Sequence, residues 1–218
     1  MQRLFSAICK RSSTVCAAAV IACAAPAAGA WLVAVPATMA TLSVASPAMA
    51  AEVEGVEVQD AVDLDGVRLL LNGAGMRTVY IVKAYVAALY VPSRSPDAQV
   101  LLAQDGPRRL SLTMLADLSS EWVTQRFVLA LRDNHDDAEM ATLGPRIERL
   151  IDTMLTLGQT RKGERIDIDF VGGGTRVSVD GHPLGPAIPG EALFKAILRI
   201  FVGERPIDAE LKQAMLGS

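Results

Sequence analysis

The residues best suited to chemistry cluster in one stretch. Leu71-Asn72-Gly73-Ala74-Gly75-Met76-Arg77 contains two glycines just before an arginine, and Lys83-Ala84-Tyr85 opens an apolar run that ends at Tyr90. The glycines read as a sharp turn that delivers Arg77 to the base of a long strand. A guanidinium held there and facing a cavity presents a planar fork of donors to a carboxylate or an enolate oxygen. Facing solvent, it is only a surface charge. Tyr85 and Tyr90 sit on the strand beyond, where their hydroxyls can line the same pocket or donate into it.

Other candidates carry less. Asp133-Asn134-His135-Asp136-Asp137 has oxygen and imidazole groups that suit a divalent metal, but a charged loop between two helices explains it as well and is the preferred reading. His182 follows Gly181 in a turn. Asp117, Glu121 and Asp133 lie near helix ends, where acidic side chains favour the first turn. Ser119 and Ser120 have no histidine nearby in sequence and so show no nucleophile signature.

The elements that must position these residues read as follows. Val56 to Val62 and Val67 to Leu71 are short strands separated by Asp63-Leu64-Asp65-Gly66, with Asn72 to Gly75 as a second turn. Val79 to Val91 is one long strand, apolar on both faces. A short helix runs from Ser95-Pro96-Asp97 to about Gln104, and Leu110 to Leu115 is a strand. Ser120 is the expected N-cap of a helix carrying Val123, Phe127 and Leu131. A further helix carries Met140, Leu143, Ile147, Leu150 and Met154. Ile166, Ile168 and Phe170, then Val177 and Val179, alternate with polar residues across Gly172-Gly173-Gly174, a hairpin with one wet face. Helices at Glu191 to Phe201 and around Leu211 follow. Strands, helices, a hairpin and helices in that order predict an α+β domain, an antiparallel β-sheet packed against helices.

The first fifty residues are of another kind. Arg3, Lys10 and Arg11 precede a stretch from Ser12 to Ala50 without a charged side chain, closing on Ala48-Met49-Ala50. That is a secretory signal with a small-x-small cleavage site, predicting a leader over 1–50 and a mature domain over 51–218 in the periplasm or secreted. Retention as a membrane anchor, or lipidation at Cys23, are the alternatives. Pro26, Pro36 and Pro47 interrupt the apolar run and favour cleavage. Cys9, Cys16 and Cys23 all fall in the leader, which removes disulfides, zinc-thiolate sites and cysteine nucleophiles from the mature part. No cofactor or metal motif is found. Of the 21 Lys and Arg, three lie before residue 12, whereas all 24 Asp and Glu come from Glu52 onward. The mature part is therefore acidic, without a basic cluster, and a poor partner for nucleic acid.

The Gly-Ala-Gly-x-Arg run at Gly73 to Arg77, the Lys-x-Tyr strand ending at Tyr90, and the tail Phe201-Val202-Gly203-Glu204-Arg205-Pro206 with Leu211-Lys212 and Leu216-Gly217 resemble the chalcone isomerase family, especially its bacterial secreted branch. The resemblance covers about residues 53 to 217. It implies an open-faced β-sandwich and gives Arg77 the role of stabilising an enolate in enzymes, or pairing with a carboxylate in the members that hold fatty acids. The family's strand threonine falls on Tyr85. Its catalytic tyrosine falls near Ser119 or Ser120, and no tyrosine follows Tyr90; the nearest aromatic residue is Trp122. The expectation is therefore an exported, non-catalytic binder of a small amphiphile such as a fatty acid, with Arg77, Tyr85 and Tyr90 at its site. Two alternatives stand beside it. One is an intramolecular lyase or isomerase acting on an α,β-unsaturated ketone, with Arg77 and Tyr85 catalytic. The other is an envelope interaction module in which Arg77 forms a structural ion pair.

Overall fold

Two-residue turns set several strand boundaries of the domain. Asp65-Gly66 and Asp180-Gly181 both hold positive φ at each position, the backbone geometry that suits the twist of antiparallel strands. The structure, a computed structural model, describes residues 50–217; the leader read from the sequence lies outside them. A hairpin of β1 (Ala50–Val53) and β2 (Val56–Gln59) comes first. The main sheet contains β3 (Ala61–Leu64), β4 (Val67–Val79), β5 (Val82–Val91), β6 (Arg108–Met114), β9 (Arg165–Val171), β10 (Gly174–Val179), β11 (His182–Pro183) and β12 (Ile188–Pro189). Its order is β11-β10-β9-β6-β5-β4-β3, with β12 also on β10 and every pairing antiparallel. The short β7 (Leu118–Ser119) and β8 (Gln159–Thr160) pair apart from it.

The helices are α1 (Ala98–Ala103), α2 (Ser120–Asn134), α3 (Asp137–Leu155), α4 (Glu191–Val202) and α5 (Ala209–Met215). The fold class is the α+β architecture expected. Facing rows of side chains explain where the helices sit. Ala87, Leu112 and Ile166 are paired in one row, and Leu89, Leu110, Ile168 and Val177 in the next. That face meets Leu193, Phe194, Ile197, Leu198 and Phe201 of α4, all buried. Each such side chain contributes about 1.5–3 kcal/mol on leaving water. No described helix is long and apolar enough to cross a membrane.

Three local expectations are corrected. Asn72 to Gly75 is not a turn: β4 runs straight through it, with a register shift between Leu71 and Gly73, and the reversal comes at Tyr80-Ile81. The glycines are there for close approach. A Cβ on Gly73 would meet the carbonyl oxygens of Ala214 and Met215, the latter at 2.7 Å, and one on Gly75 would lie 2.6 Å from Ala214 Cβ. Helix α5 therefore lies against bare backbone, and Asn72 Nδ2 donates to Met215 O at 2.8 Å to hold it. The second correction is that Ser119, rather than Ser120, caps α2, accepting from Trp122 N at 3.2 Å. The third concerns the wet face of the β9–β10 hairpin, which is polar but closed. Asp167 and Asp169 are only 2% and 1% exposed. They sit in an ionic row with Arg109, Arg165 and Arg176. Beside that row, Val58, Leu64, Leu69, Val86, Ala88 and Tyr90 form a second small core.

Candidate functional site

Cross-strand register brings Arg77 of β4 directly opposite Tyr85 of β5, and Tyr85 opposite Met114 of β6. All three line one cavity between the sheet and the helices. It has a volume of about 110 Å³, room for several waters. Its walls are almost wholly carbon, from Leu112, Ile166 and Ile168 of the sheet to Val123, Phe127 and Ile197 of the helices.

The polar groups on this wall are few. Arg77 Nη1 donates to the backbone carbonyl of Ile207 at 2.7 Å, a position fixed by α5 resting on the glycines of β4. Burial pushes the Tyr85 hydroxyl up to about 12; the Arg77 charge opposes the rise and Asp208 adds to it. Tyr85 thus stays protonated through the physiological range, a hydrogen-bond donor rather than an anion. On α2, Trp122 and Arg126 stand one turn apart, with the guanidinium carbon 5.4 Å from the indole ring, a cation–π contact. Both belong to the lining, as do Ser120 and Thr160. Thr160 Oγ1 donates to Leu118 O at 3.1 Å, while Ser120 Oγ is buried with no partner among the described residues.

Tyr90, placed by the sequence reading in the same site as Arg77 and Tyr85, is not there. The two tyrosines lie five positions apart on β5, an odd offset, so they face opposite sides of the sheet. Tyr90 lines a polar cavity of about 180 Å³ with Arg109, Ser111 and Asp167. Burial raises its hydroxyl first and the Asp167 charge adds to that, against the Arg165 and Arg109 charges and a backbone hydrogen bond at Gln59. The sequence reading also missed Arg126. Its signal was the i,i+4 spacing from Trp122 on the helix that carries Val123 and Phe127. The Asp133 to Asp137 segment is used for capping: Asp136 forms a capping box with Glu139 at the start of α3, and His135 Nδ1 bonds Leu131 O at the end of α2.

A curled antiparallel sheet with one helix-covered face, enclosing an apolar cavity entered by an arginine and a tyrosine from adjacent strands, defines an α+β domain of the chalcone isomerase type. The chain belongs to the chalcone isomerase-like family, whose pattern matches residues 50–217. No curated protein matches it by sequence. Among solved structures it is similar to that of a fatty-acid binding protein from Arabidopsis thaliana, with a TM-score of 0.56 and 14% identity over 74% of this chain and 92% of that one. At that identity the likeness is one of fold.

Proposed function

We propose that this protein holds a small amphiphile with an acidic head, such as a fatty acid, and does so outside the cytoplasm. The observation that carries the reading is the cavity lined almost wholly by carbon, with Arg77 and Tyr85 side by side on its wall. An apolar chain gains by leaving water for such walls, and a carboxylate gains charge-assisted hydrogen bonds from a guanidinium and a phenol. The fatty-acid binding protein of similar fold supports the same reading by analogy. Export rests on the composition of residues 1–50 alone.

An isomerase built on the same two residues would need a proton donor poised near the working pH. Tyr85, pushed up to about 12 by burial, is a weaker acid than that, which supports holding a ligand over transforming it.

Native mass spectrometry of the protein purified from its own cell envelope, followed by denaturation and identification of what is released, tests the proposal. A stoichiometric acidic amphiphile is the expected result. A protein that arrives empty, and stays empty when offered a panel of fatty acids, overturns it.

A further inference from the structure

The amphiphile-binding reading leaves one charge on the cavity wall without a use. Among the described residues, Arg77 and Arg126 are the only charged ones in the lining, and no acid accompanies them. Nor, among the described residues, does either guanidinium have a carboxylate within ion-pair distance. Asp208, whose field reaches Tyr85, accepts from Leu211 N at 3.0 Å to cap α5. Several arginines elsewhere do meet a carboxylate. Arg108 pairs with Glu191, Arg109 with Asp169, Arg176 with Asp65 and Arg199 with Glu139. A cation drawn partly out of water costs free energy unless a counter-ion meets it, and this protein supplies one in those four places but not in the cavity.

Both guanidiniums keep donors to spare. Arg77 spends one N–H on Ile207 O. Arg126 lies over Trp122, a cation–π contact that gives its N–H groups no oxygen acceptor. A monocarboxylate neutralises one of the two and leaves the other bare.

Resting on the amphiphile-binding reading, we infer that the occupant carries two negative charges, one matched to Arg77 and the second to Arg126. An alkyl phosphate, with both charges on one head, and an α,ω-dicarboxylate, with one at each end, share this chemistry. Arg126 is then the residue that selects such ligands over simple fatty acids.

The test compares three probes of equal chain length on the delipidated protein at about pH 8, where an alkyl phosphate is doubly ionised: laurate, dodecyl phosphate and dodecanedioate. At least one dianion should bind about tenfold or more tighter than laurate, the worth of one further charge-assisted hydrogen bond. The preferred dianion tells whether the arginines converge on one head or grip two ends. Arg126→Gln should bring that preference down to about one, whereas Arg132→Gln, exposed on the same helix and outside the cavity, should leave it intact. Laurate binding as tightly as both dianions, or Arg126→Gln weakening all three probes by the same factor, overturns the inference and leaves the amphiphile reading standing. Failure of all three probes to bind overturns both.

Discussion

Tyr85 shows how one residue type takes its role from the side of the sheet it faces. Its hydroxyl is raised from 10.0 to about 12, mainly by burial. A group whose folded pKa lies above its unfolded one contributes stability that is complete below the unfolded value and is lost as pH climbs through the folded value. The window is therefore about pH 10 to 12, and the stake is about 2–3 kcal/mol. Urea unfolding at about pH 9 and about pH 11.5 should show the parent losing stability between the two. Tyr85→Phe should lose distinctly less; equal losses would mean that the phenol titrates as if exposed. Arg77 and Tyr85 are legible in the sequence because a glycine-rich run, an arginine and a tyrosine are local signals. Their convergence with Arg126 is not legible, because it depends on α2 folding back over the sheet. The misplacement of Tyr90 was avoidable from the sequence alone: an odd separation on one strand is enough to send a pair of side chains to opposite faces.

At the scale of elements, the sequence reading goes astray where glycine has two uses. Asn72-Gly73-Ala74-Gly75 has the composition of a turn, and the true turn at Tyr80-Ile81 has none of it; Tyr80 takes φ of 58° without a glycine. The rules that work at Asp65-Gly66 therefore put the strand boundary too early. What Gly73 does is admit α5, and α5 in turn follows Ile207, whose carbonyl holds Arg77. Gly73→Ala drives a methyl into the backbone of Ala214 and Met215, which cannot yield as a flexible side chain does. We expect a loss of about 1–3 kcal/mol, with hydrogen-exchange protection falling first in α5. The same variant should weaken ligand binding, since the Arg77 anchor shifts with the helix. Uniform loss of protection across the sheet, with α5 no worse than β9, would contradict this account. The remaining elements are readable because their periodicity is strong: α2, α3 and α4 carry their apolar residues at three- and four-residue spacing, and β9 and β10 alternate cleanly.

Across the whole molecule, sheet and helices are joined by a charge that no sequence motif singles out. Arg108 of β6 is fully buried, lies 5.2 Å from the rings of both Phe170 and Phe194, and pairs with Glu191 at the start of α4. Burial alone would push the Glu191 carboxyl up, but the hydrogen bond and charge of Arg108, helped by Lys195, hold it below its ordinary value. Its contribution is accordingly present above the normal carboxylate range and is lost as pH falls through the lowered value. Glu191→Ala should cost about 3–5 kcal/mol, because it strands a guanidinium among aromatic rings. Replacing both partners, Arg108→Met with Glu191→Ala, should cost much less than Glu191→Ala alone, since a flexible apolar side chain fits between Phe170 and Phe194 without a charge to neutralise. Denaturant unfolding of the two single variants and the double gives the coupling directly. Additive losses would show the pair to be independent, and the junction between β6 and α4 would then rest on Phe170, Phe194 and the apolar rows beside them. A large favourable coupling would make this ion pair the clamp that fixes α4 over the sheet, and with it the far wall of the cavity formed by Ile197, Ile200 and Phe201.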